Sequence, residues 1–149
     1  MFEKMAARGP FAAVVTAALE EARRRGDRRL GTEHLFLGLL HDPDSAKALG
    51  VELESARAAL DILDHEALKA IGLDLGEPQS TALRRHPPLK LSALTSGARA
   101  VLDQAVKATT AKTRHTGPEY LLRALLTCEP PDVVAELITR LDVDRQAVL

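Results

Sequence analysis

The chain has 149 residues and a formal net charge of −1, with 46% hydrophobic and 28% charged residues, the composition of an ordinary globular domain. This charge balance gives no electrostatic basis for binding nucleic acid, and no apolar run reaches the roughly 18 residues that a membrane span needs. Only 3% of the residues are aromatic, so a core of Leu, Ala and Val is expected, which favours helices. A single cysteine, Cys128, excludes an internal disulfide, and the polar start lacks a signal-peptide pattern, so we expect a soluble cytoplasmic protein.

In the first half of the chain, apolar residues recur at helical spacing, and residues typical of helix ends separate these segments. Apolar residues recur at i, i+3, i+4 and i+7 from Phe11 to Ala22, and Gly26 is expected to close this helix in the left-handed conformation. Thr32 is predicted as the N-cap of the next helix, with Glu33 in its first turn. Three further helices are predicted before the middle of the chain: over 45–49, from Leu53, and from an N-cap at Asp64 to Gly72.

The middle of the chain differs from the two flanking parts. The stretch GEPQSTALRRHPPLK contains three prolines and no apolar periodicity, which is typical of a linker. Helical spacing resumes from Leu94 to Ala108. Pro118 is predicted at the favoured first position of the following helix, and further helices are predicted from Val133 and from Asp144.

The two halves align at a constant offset, because Glu33 and Glu119 stand 86 positions apart. At this offset Gly31 corresponds to Gly117, and the leucines of the two following helices also coincide. The sequence therefore predicts an all-α protein of two tandem four-helix repeats, related by a pseudo-twofold axis so that each covers the apolar face of the other. The expected division of the single unit 1–149 is repeat one at about 2–62, an extra helix and linker at about 63–92, and repeat two at about 93–149.

One stretch is specific enough to suggest a family. The segment LEEARRRGDRRLGTEHLFLGLL resembles the Clp N-terminal repeat of the ClpA/ClpC family of protein-unfolding ATPases, and MFEK and GVELESARAAL are similar to other parts of those domains. The resemblance implies two four-helix repeats, each with a G-T-E-H signature. The phosphate-binding pattern G-x-x-x-x-G-K-[ST] is absent from the sequence, so no ATP-binding loop is expected. The chain is thus similar to a stand-alone Clp N-domain without its ATPase.

The resemblance also implies a ligand. A helix N-terminus suits a phosphate, and an adjacent carboxylate suits a guanidinium, so the G-T-E-H start fits phosphorylated arginine. By position, Glu33 and Glu119 would hold the guanidinium and Thr32 would assist with the phosphate. Pro118 replaces the second threonine and removes its hydroxyl and its N–H, so weaker binding is expected there. The alternative is that these residues only cap the helix.

A second face is implied by the same resemblance. In actinobacterial relatives, the face between the repeats binds cyclic peptide antibiotics, and Phe2, Leu94 and Arg99 occupy the matching positions. Leu94 stands where a Phe is usual, which weakens the expectation of antibiotic binding. Phe2 is alternatively a residue that plugs the core.

Three classes of function follow from these patterns. The first is a binding module of the Clp proteolytic system, an adaptor or decoy for phosphoarginine-bearing or unfolded proteins. The second is a docking module that binds a Clp ATPase or another protein without a small ligand. The third, a nucleic-acid-binding regulator, depends only on RRRGDRR, whose charge is diluted by acidic neighbours. We expect no enzyme, since no nucleophile–base pair appears. Cofactors, metals, nucleic acid and membranes are likewise not expected as partners, and we expect a monomer.

Overall fold

The computed structural model describes residues 11–72, 93–108 and 118–148, and the regular structure in these ranges is helical. The prediction of an all-α protein is confirmed. Phe2 and the predicted linker lie outside the described residues. The helices are α1 (Ala12–Arg25), α2 (Thr32–Leu39), α3 (Pro43–Leu49), α4 (Leu53–Ala70), α5 (Ser96–Ala108), α6 (Glu119–Leu126), α7 (Val133–Arg140) and α8 (Arg145–Val148). None of the helices in the described ranges is long and apolar enough to cross a membrane.

Most helix ends lie where the sequence places them, with three corrections. The N-cap of α2 is Gly31, in an extended conformation, and Thr32 is the first helical residue rather than the cap. Pro118 is likewise the N-cap of α6 rather than its first residue. The helix break predicted at Asp64 is wrong, because α4 continues through it to Ala70. The predicted boundary between repeat one and the extra helix therefore falls inside α4, and the two-repeat arrangement stays a prediction.

Helix α2 lies at the centre of the molecule, in contact with α1, α4, α5, α6 and α7. Its closest neighbour is α1, and Gly38 makes this approach possible. A Cβ atom at Gly38 would lie only 2.5 Å from the carbonyl oxygen of Val14. Apolar side chains of both halves of the chain meet around α2 in a single core cluster, so this helix is held in place from all sides.

Two polar contacts fix the position of α4 against α1. The carboxylate of Glu21, which is buried, accepts two hydrogen bonds from the guanidinium of Arg57, at 2.7 and 2.6 Å. One turn further along α4, Asp61 accepts a hydrogen bond from Arg25 at 2.5 Å. The bidentate pair of Arg57 and Glu21 fixes orientation as well as distance. Leu60 and Asp64 of α4 lie near the start of α2, where they line a pocket with Glu33.

The loop before α2 is also tied to the segment before α5. Leu30 donates its N–H to the carbonyl of Ala93 and accepts from the N–H of Thr95, both at 2.9 Å, which forms an isolated parallel β-bridge. This bridge holds the first residues of α2 next to Thr95, which itself caps α5 by accepting from the N–H of Ala98. The start of α2 thus lies close to the end of α1, to α4 and to the segment before α5.

Candidate functional site

Glu33 is the one residue of α2 that reaches solvent. Every other residue from Thr32 to Leu39 is buried, whereas the side chain of Glu33 is 20% exposed. A carboxylate at the only open position of a buried helix is unusual, because a helix surrounded by core normally carries apolar residues throughout. The start of α2 is therefore the part of this helix that reaches solvent.

The turn that leads into α2 is set by the end of α1. Gly26 adopts the left-handed conformation (φ 74°), and the N–H of Asp27 donates to the carbonyl of Ala22 at 3.0 Å, which completes a Schellman-type helix end. This turn brings the side chain of Asp27 back over the start of α2. The predicted cap at Gly26 is confirmed.

His34 takes the place that glutamate or glutamine has in a capping box. Its Nδ1 accepts a hydrogen bond from the N–H of Gly31 at 2.9 Å, which satisfies a backbone donor that would otherwise be buried without a partner. Because Nδ1 accepts, the proton of the neutral ring lies on Nε2, which donates to Asp27 at 2.7 Å. His34 is 1% exposed, so this buried side chain joins the α1 end to the α2 start.

The carboxylate of Glu33 folds back over Gly31. A Cβ atom at Gly31 would lie 2.5 Å from both carboxylate oxygens, so any larger residue would displace the side chain of Glu33. In the ring state given above, the nearby Nδ1 of His34 has no proton to give to Glu33. No Lys or Arg forms an ion pair with Glu33 within the described ranges. The negative charge of Glu33 is thus held in place but not neutralised.

Glu33 opens into a pocket of about 290 Å³. Its walls come from the α1–α2 turn, from Leu60 and Asp64 on α4, and from Thr95 before α5. The volume lies at the lower limit of the roughly 300–1,000 Å³ typical of small-molecule sites. A pocket of this size accommodates one long side chain of a protein more readily than a large cofactor.

Acidic groups outnumber their partner on one wall of this pocket. Arg25 forms ion pairs with Asp27 at 3.2 Å, with Asp61 at 2.5 Å, and with Asp64. Burial and the neighbouring carboxylates, Glu33 among them, raise the pKa of Asp64 although Arg25 opposes them. Burial is the largest cause of this shift, and the negative charges of Asp27, Glu33 and Asp61 add to it. A cationic group entering the pocket beside Glu33 would be attracted by these carboxylates.

Two further arginines line this pocket. Arg28 and Arg29 are both exposed. Arg29 donates to the carbonyl of Leu94 at 3.1 Å. Neither arginine forms an ion pair with a carboxylate in the part of the chain described. The pocket is therefore lined by carboxylates and by guanidinium groups.

Thr32 points away from this pocket. Its hydroxyl donates to Oδ1 of Asp132 at 2.5 Å, and the same oxygen accepts from the N–H of Val134 and caps α7. Thr32 is 4% exposed. Its hydroxyl joins the start of α2 to the start of α7 and faces a carboxylate, which is an unfavourable neighbour for a phosphate. The assistance with phosphate that the resemblance implies for Thr32 stays a prediction.

The start of α6 has a different environment. Glu119 lies on the surface, with 47% of its side chain exposed, and accepts a hydrogen bond from Arg123 one turn along the same helix at 2.6 Å. Pro118 offers neither an N–H nor a hydroxyl. Residues 109–117, which precede Pro118, lie outside the described residues. In the described ranges, the charge of Glu119 is already balanced by its own helix.

The residues of the second predicted face are placed as follows. Leu94 is 5% exposed and belongs to the core cluster, while its backbone forms the bridge to Leu30. Arg99 lies one turn into α5 and is exposed. Phe2 cannot be placed relative to them because it lies outside the described residues. The role of these residues in binding a cyclic peptide stays a prediction.

Sequence reasoning missed several residues of the pocket. In the sequence, Arg28 and Arg29 belong to the RRRGDRR stretch, whose charge is diluted by acidic neighbours, and Asp64 suggests a helix cap. One signal was available in the sequence: the residue four positions after Glu33 is Leu37, whereas the residue four positions after Glu119 is Arg123. Since i and i+4 side chains meet on a helix, only Glu119 has an arginine within reach on its own helix.

Comparison with known families supports the resemblance seen in the sequence. The family model of the Clp repeat (R) N-terminal domain matches residues 10–111. The match includes the whole of α1 to α5 and every residue that lines the Glu33 pocket, and it ends before Glu119. A match over more than half of the chain, on an all-helical structure, shows the family. The chain belongs to the Clp repeat N-terminal domain family and is a module related to the Clp system.

Proposed function

We propose that this protein is a non-catalytic binding module of the cytoplasmic Clp proteolytic system, and that it recognises phosphoarginine on marked proteins. The site is the Glu33 pocket. The observation that carries the proposal is that an unneutralised carboxylate, Glu33, and two guanidinium groups, Arg28 and Arg29, line one small pocket at a helix N-terminus. Family membership supplies the link to the Clp system.

The two ends of phosphoarginine match the two kinds of charged group that line this pocket. Its guanidinium group presents N–H donors that a carboxylate accepts in a bidentate manner. Glu33, supported by Asp64, is this acceptor. The phosphoryl group carries negative charge and suits Arg28, Arg29 and the first N–H groups of α2. Plain arginine lacks the phosphoryl group and would bring an unbalanced positive charge next to two arginines, so the pocket favours the modified side chain.

Calorimetric titration with phosphoarginine, with arginine as the comparison ligand, tests the proposal directly. Glu33→Gln keeps the shape of the side chain and removes its charge, so we expect binding to weaken about 10- to 100-fold, the value of a lost charge-assisted hydrogen bond. Arg28→Gln should weaken phosphoarginine binding, whereas the weak response to arginine should increase slightly because one repelling positive charge is removed. Glu119→Gln is the matched control, because it removes a glutamate at the corresponding sequence position outside the pocket.

Three results would overturn this assignment. Equal binding of arginine and phosphoarginine would show that the pocket does not read the phosphoryl group. Phosphoarginine binding that survives Glu33→Gln but is lost in Glu119→Gln would move the site to α6. If the wild-type protein binds neither ligand, the Gly31–His34 start is only a helix cap, and the docking hypothesis takes the place of the ligand hypothesis.

A binding module acts on degradation through its partners. As an adaptor it would deliver marked proteins to a Clp ATPase, and as a decoy it would withhold them. Degradation of a phosphoarginine-bearing substrate by a reconstituted Clp protease separates the two roles. Added wild-type protein should accelerate degradation if it is an adaptor and slow it if it is a decoy. Glu33→Gln should remove either effect.

A further inference from the structure

A second concave surface lies between α4 and α7, and it shares no residue with the Glu33 pocket. We call it the α4–α7 groove. It has a volume of about 730 Å³ and is lined by Leu63, Glu66, Ala67, Pro130, Glu136, Thr139 and Arg140. Nothing in the proposed recognition of phosphoarginine uses this groove.

The second half of α4 extends beyond the core. None of the residues 61–70 is buried, although apolar residues recur among them. Leu63, Ala67 and Ile71 are spaced by four and therefore form one stripe along the helix, and Ile71 is 73% exposed. Val133 at the start of α7 is also 37% exposed. Exposed apolar side chains on the two helices that form a groove are typical of a binding surface.

The groove carries more negative than positive charge. Arg140 on α7 donates to both carboxylate oxygens of Glu66 on α4, at 2.8 and 2.7 Å, and so bridges the two walls. Glu136 also lines the groove, is exposed, and has no ion-pair partner in the described part of the chain. The groove therefore presents an apolar floor with one uncompensated negative charge at its edge.

We propose that the α4–α7 groove docks an amphipathic segment of a partner protein, one whose apolar side chains cover the Leu63–Ala67–Ile71 stripe and whose lysine or arginine pairs with Glu136. The argument rests on charge complementarity: an acidic edge beside an apolar floor selects a basic, amphipathic segment and disfavours an acidic one. The Glu33 pocket would hold the modified side chain of a substrate, and this groove would hold a separate protein.

Two synthetic peptides with the same leucine positions test this proposal, one with lysines and one with glutamates at the flanking positions. Fluorescence anisotropy with the full chain should show tighter binding of the lysine peptide, by about tenfold. Glu136→Lys should reverse this order. Ala67→Tyr, at an exposed position of α4, should fill the groove and weaken both peptides. Glu20→Lys is the matched control, since it reverses an exposed glutamate on α1, away from the groove.

The outcomes separate this proposal from phosphoarginine recognition. Glu136→Lys should leave the titration with phosphoarginine unchanged, so either proposal can fail alone. The docking proposal is overturned if the wild-type protein does not distinguish the two peptides, or if Glu136→Lys and Glu20→Lys have the same effect. Sedimentation that shows a dimer broken by Glu136→Lys would assign the groove to a second copy of this chain and would also overturn it. Circular dichroism melting establishes that each variant is folded.

Discussion

Two helices of this protein begin with related sequences, Gly-Thr-Glu-His at the start of α2 and Gly-Pro-Glu-Tyr at the start of α6, yet their glutamates lie in different environments. Glu33 opens into a pocket and has no arginine on its own helix. Glu119 lies on the surface and pairs with Arg123. The residue opposite Arg123 in the alignment is Leu37, which is fully buried. A glutamate at a helix start is available to a ligand only where its own helix does not already neutralise it.

The two starts also differ in how firmly they are tied to the rest of the molecule. At α2, Thr32 reaches Asp132 and His34 reaches Asp27. At α6, Pro118 at the corresponding position has no side-chain donor. Buried polar side chains that form hydrogen bonds are costly to remove, whereas exposed ones cost little. Matched substitutions at the two starts should therefore differ in their effect on stability.

The largest difference is expected between His34→Phe and Tyr120→Phe. The first substitution keeps an aromatic ring but removes the acceptor for the N–H of Gly31 and the donor to Asp27, leaving buried polar groups without partners. We expect the free energy of unfolding to fall by about 3 kcal/mol. Tyr120→Phe removes one hydroxyl from a half-buried ring and should change it by less than about 0.5 kcal/mol. Urea unfolding followed by circular dichroism measures both, and equal losses would contradict the comparison.

A second pair of substitutions tests how closely α2 is packed. Gly38 and Ala124 occupy corresponding positions of α2 and α6. Gly38→Ala gains about 1 kcal/mol of helix propensity, but its Cβ would press on the carbonyl of Val14, and overpacking of this kind costs about 1–3 kcal/mol. We therefore expect Gly38→Ala to lower the melting temperature. Ala124→Gly should also lose stability, by about 1 kcal/mol. Stabilisation by Gly38→Ala would show that α1 and α2 separate easily.

Thr32→Val tests the contact that Pro118 cannot make at α6. Valine keeps the shape of threonine and removes the hydroxyl that donates to Asp132. A hydrogen bond to a charged group contributes about 1.5–3 kcal/mol, and we expect the lower part of that range because Asp132 still accepts from Val134. Thr32→Ser keeps the hydroxyl and serves as the control. If both variants melt at the wild-type temperature, the α2–α7 contact does not contribute to stability.

Features that depend on nearby residues could be predicted from the sequence. Gly26 ends its helix in the left-handed conformation, as expected, because a helix end is decided by the residues around it. The apolar spacing indicates the core-facing side of α1, α4 and α5. Glu33 is a candidate because its G-T-E-H start resembles the signature of the Clp N-terminal repeat.

Features that depend on distant residues could not be predicted. Asp64 suggested a helix cap, but tertiary contacts to Arg25 in α1 keep α4 continuous through it. The partner of Thr32 is 100 positions away in the sequence. The pocket itself forms where α1, α4 and the segment before α5 come together at Glu33. No local sequence pattern predicts which distant segments come together in the fold. The walls of a site are therefore harder to predict than its central residue.

The smallest expected effect is on the way the melting temperature changes with pH in acid. Asp27 and Asp64 should change this dependence in opposite directions. Burial alone would raise the pKa of Asp27, but the hydrogen bond from His34 and the charge of Arg25 lower it below its ordinary value of 3.8. The unfolded chain then binds the proton more tightly, so Asp27 stabilises the fold above that value and this contribution is lost as the pH falls through the folded pKa. Asp27→Asn should flatten the rise of melting temperature with pH between about pH 2 and 5.

Asp64 has the opposite sign, since burial and its acidic neighbours raise its pKa above 3.8. Its contribution is present below that value and is lost as the pH rises through the folded pKa. Asp64→Asn should therefore steepen the same rise of melting temperature. Scanning calorimetry of both variants across this pH range checks the two signs together. Because both residues face the same arginine, a common change of slope would mean that Arg25, rather than the charge around Glu33, controls this wall of the pocket.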